Sequence, residues 1–170
     1  VRSDFGNELD LVGARGEALF CVLLTAEHPT RGFLFDMPRH LGDKTRSVDY
    51  FVEVLNPADE ASFCLVQVKT TRRGYSSENR LNVAISRADW TRLASYPAPA
   101  YVVGIDALDR RGYIVGVSGT AGAGFSSMST EYPLTPDVLS VLRDEVEAYG
   151  RSLKKALFRT RLRDPGLEER

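Results

Sequence analysis

Val48-Asp49-Tyr50-Phe51-Val52-Glu53-Val54, followed by Phe63-Cys64-Leu65-Val66-Gln67-Val68-Lys69, decides how this chain is read. Each run is rich in β-branched and aromatic residues, and Asn56, Pro57, Ala58, Asp59 and Glu60 between them supply turn chemistry. The pair predicts an antiparallel hairpin. Alternate residues of a strand share a face, so Gln67 and Lys69 point the same way as Phe63 and Leu65, and Asp49 shares a face with Phe51 and Glu53. An acid, an amide and an ammonium at one end of an otherwise apolar hairpin need mutual partners, a metal or solvent in a cleft, because unpaired buried charge is costly.

The 170 residues fit a single domain, 1–170, with a proper core. At 43% hydrophobic and 26% charged, the composition is that of an ordinary soluble protein. A net charge of −1 confines any nucleic-acid site to a local patch. Cys21 and Cys64 sit in apolar surroundings, which predicts free core thiols and a reducing, cytoplasmic setting. No apolar run suits a membrane span, and the start has no signal-peptide shape. The first residue is Val1, which leaves room for a longer parent chain.

Upstream of the hairpin, Glu8 to Glu27 reads as a helix with Asp10 as N-cap. At about 100° per residue, Glu17 falls on the stripe of Gly13, Phe20, Cys21 and Leu24. Gly13 and Gly16 would permit close approach to a strand, at a propensity cost of roughly 1 kcal/mol for Gly16. As a boundary charge, Glu17 would instead pair with Arg15 or Arg39. Gly32 to Met37 is a short strand candidate, and Pro38 to Ser47 a polar loop.

Downstream, Thr70 to Asn79 reads as a polar, basic loop and Arg80 to Ser86 as an extra strand. Ser86 and Asp89 form a capping box for a helix reaching Tyr96, with Trp90, Leu93 and Ala94 inward. Pro97 and Pro99 stop it. Ala100–Asp106 and Tyr113–Val117 form a second hairpin, and Gly116 to Ser129 a Gly/Ser-rich loop without the Lys of a phosphate loop. Thr135 or Asp137 opens a final helix reaching Arg161, acidic first and basic later. The expected fold is α/β (α+β): a central mixed β-sheet flanked by helices.

The Gly13-Ala14-Arg15-Gly16-Glu17 helix, Val48-Asp49 opening a strand and Gln67-Val68-Lys69 ending the next resemble the PD-(D/E)XK nuclease superfamily. The likeness is to its Gln-x-Lys branch, similar to Mrr-like restriction endonucleases and uncharacterised DUF-type members, over residues 10 to 106. Archaeal Holliday-junction resolvases also carry the helical Glu. The segment from 107 to 170 adds a hairpin and a C-terminal helix to the αβββαβ order. Val48 replaces the family's Pro, and Gln67 replaces the acid of its (D/E)-x-Lys.

That resemblance implies a restriction-endonuclease-like core and a metal-dependent endonuclease hydrolysing DNA in restriction, recombination or mobile-element defence. Its catalytic set would be Glu17, Asp49, Gln67 and Lys69. Mg²⁺ or Mn²⁺ would sit on Glu17, Asp49, the Gln67 side chain and the Val68 carbonyl, because hard divalent ions take oxygen donors. Lys69 would orient water or stabilise the transition state, and Glu53 would stand in an outer shell. Arg72, Arg73 and Arg80 would contact phosphates. DNA, a homodimer partner and an ATPase or recognition domain outside the chain are the partners it leaves open.

Two other readings compete. A catalytically degenerate nuclease fold would bind nucleic acid or protein without cleaving, and Lys69 would then be an ion-pair partner of Asp49. A nucleophile–histidine hydrolase finds little support: His28 and His40 lie in polar, loop-like stretches, and no Gly-x-Ser-x-Gly elbow occurs.

Overall fold

A computed structural model describes residues 4–42, 47–57, 61–118 and 124–153. The expected helical extension to Arg161, with its basic residues Lys154, Lys155, Arg159, Arg161 and Arg163, and the turn residues Ala58, Asp59 and Glu60 lie outside the described residues. The architecture is α+β, with a five-stranded mixed sheet and three helices among the described residues.

The elements are α1 (Asp4–Leu24), β1 (Arg39–His40), β2 (Tyr50–Glu53), β3 (Phe63–Thr71), α2 (Arg87–Ala94), β4 (Ala100–Asp106), β5 (Arg111–Gly116) and α3 (Pro136–Leu153). Strand order in the sheet follows chain order, β1-β2-β3-β4-β5. β3 and β4 are parallel, joined across α2, and the other neighbours are antiparallel. The hairpin of β2 and β3 forms in the expected place, with Tyr50 opposite Val66 and Val52 opposite Cys64.

Alternation sorts the strands between two cores. Tyr50, Val52, Cys64, Val66, Val68, Val103 and Ile105 pack against Phe20 and Leu24 of α1 and Leu139, Leu142 and Val146 of α3. The opposite face sets Leu65, Ala100 and Val102 against Leu93 of α2 and Ile85, with Trp90 partly buried. Every residue of β4 is buried, as a strand covered on both faces requires. Cys21 and Cys64 are free thiols, as expected. No helix among the described residues is long and apolar enough to cross a membrane.

Several local expectations are corrected. The first helix opens at Asp4, which puts Asp10 inside it rather than at its cap. Gly32 to Met37 is not a strand but makes two isolated bridges, Gly32 to His28 and Phe35 to Val54, the second flanked by the Leu55 N–H to Leu34 carbonyl and Asp36 N–H to Glu53 carbonyl bonds. The short β1 lies within the expected loop instead. Arg80 to Ser86 likewise contributes isolated bridges, Leu81 to Tyr75 and Met128, and Ile85 to Phe125. Its apolar residues Leu81, Val83 and Ile85 are buried, so the alternation reflects burial without a ladder. Ala94 faces solvent while Leu93 is buried.

Gly16 earns its place in α1. A Cβ there would lie 1.8 Å from Thr70 Oγ1 and 2.7 Å from Thr70 Cβ, so the helix touches the end of β3. Gly13 meets nothing within 4 Å.

Candidate functional site

The β2–β3 ladder ends at Tyr50–Val66, closed by the Asp49 N–H to Val66 carbonyl bond at 2.9 Å. β3 runs on beside β4 to Thr71, so its other edge is open beyond that point. The Val68 N–H on this edge is satisfied by a side chain: Asp49 Oδ2 accepts it at 2.7 Å. Asp49 is the residue before the last ladder pair and Gln67 the residue after it on β3, so the two lie next to each other at the point where the ladder stops.

Gln67 is only 4% exposed, and its Oε1 has no hydrogen-bond partner. A buried amide oxygen left unsatisfied costs about 1–3 kcal/mol, so the site holds an acceptor waiting for a donor or a cation. Burial raises the Asp49 carboxyl above its ordinary range, while the Val68 N–H and the charges of Lys69 and His40 pull it back and that of Asp89 adds to the rise. Lys69, half-buried, stands on the same face and takes part in none of the ion pairs among the described residues. It is not locked to Asp49 as a simple ion pair.

Glu17 approaches from α1, on the other face. Tyr50 donates its hydroxyl to Glu17 Oε2 at 3.3 Å, and His40 Nε2 lies 3.9 Å from the same oxygen. Neither Arg15 nor Arg39 holds it: Arg39 pairs with Glu53 at 3.1 Å. That pairing occupies Glu53 at the opposite end of β2 from Asp49, about 13 Å along the strand, too far for an outer shell.

Asp89 and His40 are site neighbours that sequence reading undervalued. Asp89 Oδ1 accepts the Ser47 hydroxyl at 2.5 Å and Oδ2 the Ser86 hydroxyl at 2.7 Å, and these bonds hold its carboxyl below the usual range. The sequence showed only its capping role, which is also present: Ser86 Oγ accepts the Asp89 N–H at 3.0 Å. His40 pairs across the strands with Tyr50, which explains how a polar-loop residue comes to stand beside Glu17 and to act on the Asp49 carboxyl through its charge.

From Lys69 an open groove of about 860 Å³ runs past Arg72 and Arg73, between α1 and the Asn82–Ala84 segment. Arg72 pairs with Glu8 at 3.0 Å, both side chains exposed, a pair worth little and easily exchanged. Arg73 is exposed. Arg80 is different: it donates to Ser127 Oγ at 3.0 Å and to the Ser127 carbonyl at 2.7 Å, so it clamps two chain segments.

Among the described residues no three Asp, Glu, His or Cys side chains form a group that could hold a metal ion. The available donors are the Asp49 carboxylate and the unpartnered Gln67 oxygen. Two hard oxygen donors suit an ion of the Mg²⁺ class, which binds through one or two carboxylates and keeps several waters. No protein-family model, curated protein or solved structure matches the chain.

Proposed function

We propose that the chain is a metal-dependent endodeoxyribonuclease of the PD-(D/E)XK type, with a restriction-endonuclease-like core. One observation carries this reading. The buried, unpartnered Gln67 Oε1 and the burial-stressed Asp49 carboxylate flank the end of the β2–β3 ladder, with Lys69, outside every ion pair among the described residues, two positions beyond Gln67 on β3. The Val68 N–H accounts for one Asp49 oxygen but not for the bare Gln67 oxygen or for Lys69, which lines the groove, and perturbed, unsatisfied groups gathered together are the physical mark of a site.

A bound Mg²⁺ or Mn²⁺ would supply Lewis acidity toward a phosphate oxygen and acidify a bound water. Asp49 and Gln67 would hold it. Asp49, fixed by the Val68 N–H, cannot swing away. Lys69 supplies a compact positive charge toward the phosphate, where charge develops during hydrolysis. Glu17, steadied by Tyr50 and His40, serves from the α1 side as a carboxylate positioned by its neighbours. Arg72 and Arg73 line the groove that receives the backbone. A role in restriction, recombination or mobile-element defence follows from the family likeness.

The test is plasmid nicking with Mg²⁺ or Mn²⁺. Cleavage is expected for the wild type and lost in Asp49→Ala and in Lys69→Ala. Activity surviving in both variants overturns the assignment. The lack of a group of three metal-binding side chains among the described residues favours one competitor, a degenerate fold that binds without cutting. That competitor requires DNA binding with no cleavage in any divalent ion.

A further inference from the structure

We propose that the cavity at the start of β5 is a second, separate subsite that takes one unpaired nucleotide of the bound strand, its phosphate on Arg110 and Arg111. This rests on the nuclease reading above and adds where the strand goes beyond the scissile position.

The cavity measures about 490 Å³, a volume in the range of small-ligand sites. Arg110 and Arg111 form its basic rim. Both are exposed and in none of the ion pairs among the described residues, and no carboxylate lines the cavity. Asp106, opposite Arg111 in the β4–β5 ladder, is buried and accepts the Leu108 and Asp109 N–H groups, so it forms no ion pair with either guanidinium. A guanidinium pair left out of ion pairs at a cavity mouth is suited to bidentate recognition of phosphate.

The remaining walls suit the rest of a nucleotide. Tyr75, Leu23 and Pro133 give an aromatic and apolar surface for a base. Tyr75 is braced by its hydroxyl contact with Tyr113 at 3.0 Å and the edge-on packing of the two rings. Thr130 donates to the Asn79 carbonyl at 2.8 Å, which ties the polar rim together. Asn79 and Arg110, which both line the cavity, are held at positive φ, 57° and 55°. Non-glycine residues in that conformation cluster at ligand clamps.

Position links the cavity to the site. Lys69 pairs with Gly104, and Gly104 with Tyr113, so Tyr113 stands two strands across from Lys69. That is roughly 10 Å at the usual interstrand spacing, or about three nucleotides at ~3.4 Å each. Leu81, Val83 and Met128 cover Gly104 between them, so a strand would pass over this cluster.

The test uses a fluorescent eight-nucleotide single-stranded DNA, read by anisotropy in EDTA so that cleavage plays no part. The Arg110→Gln/Arg111→Gln variant should bind at least about tenfold more weakly. Its salt dependence should be shallower by about 1.4, two contacts at ~0.7 each for single strands. Arg111→Lys should recover part of the affinity. Arg39→Gln, on the far side of the sheet, should match the wild type. Wild-type affinity and salt slope in the double variant overturn the subsite. So does loss of binding to adenosine monophosphate alone with strand binding intact, which would mark a free-nucleotide site instead. Failure of plasmid nicking removes the nuclease reading while leaving this binding result to be read on its own.

Discussion

Asp49 takes the place of a missing strand: its carboxylate accepts the Val68 N–H at 2.7 Å just where the β2–β3 ladder runs out. Burial nonetheless raises its pKa, so the folded state holds the proton more tightly than the unfolded chain. The fold therefore loses stability as pH rises from the ordinary carboxylate value of 3.8 through the raised one. Asp49→Asn keeps an oxygen for Val68 and removes the charge. We expect it to abolish nicking and to raise the metal-free melting temperature at pH 7 by about 2–4 °C, the shift that ~1 kcal/mol gives in a domain of this size. The gain should vanish below pH 3.8. Thermal scans across pH check this, and a gain independent of pH would remove its electrostatic cause.

Gln67→Glu would add a second, buried carboxylate at the ladder end next to which Asp49 lies. Like charges raise each other's pKa values, so the metal-free variant should melt lower than wild type at pH 7 and be rescued by millimolar Mn²⁺ more than wild type is. Equal Mn²⁺ stabilisation of the two proteins would mean that residue 67 is no ligand.

Gly16→Ala drives a methyl into Thr70. Overpacking of this kind costs about 1–3 kcal/mol, against a helix-propensity gain of about 1 kcal/mol. Thr70 is short and β-branched and cannot swing aside. A lower melting temperature is expected, together with reduced nicking, because Thr70 adjoins Lys69. The double variant Gly16→Ala/Thr70→Ala should recover most of the stability, and strict additivity of the two changes would refute the contact.

Asp89 anchors Ser47, two residues before Asp49, to α2. Asp89→Ala should cost about 1–2 kcal/mol through two lost charge-assisted hydrogen bonds, and slow nicking about tenfold by freeing the approach to Asp49. Ser47→Ala should slow nicking with a smaller stability loss. Unaltered nicking in both variants would assign the pair to stability alone.

Arg73 and Arg80 should separate cleanly. Arg73→Ala is expected to weaken DNA binding and to lower the salt slope by about 1. Arg80→Ala removes the clamp on Ser127 and should lower the melting temperature without a comparable change in salt slope.

The hairpin, the helical stripe through Glu17 and the shared face of Gln67 and Lys69 were legible because strand and helix periods are local properties. The Ser47–Asp89 bond and the His40–Glu17 approach were not, since they join residues far apart in sequence. Segments such as Leu81 to Ile85 misled for a different reason: alternation reports which side is buried and says nothing about whether a neighbouring strand exists to pair with. The Arg80 clamp on Ser127 was not legible either, because a guanidinium that holds a carbonyl looks, in sequence, like one awaiting a phosphate.

Chain order and sheet order coincide in this fold, and that governs its vectorial synthesis. β3 emerges from the ribosome already able to pair with β2, yet its other edge stays bare until α2 and β4 have followed. At about 5–20 residues per second that interval lasts a few seconds. During it the apolar run Cys64 to Val68 presents an unpaired strand edge, the surface most prone to capture by another nascent chain. Slow translation between Thr71 and Ala100 should therefore lower the soluble yield more than an equal pause after Asp106.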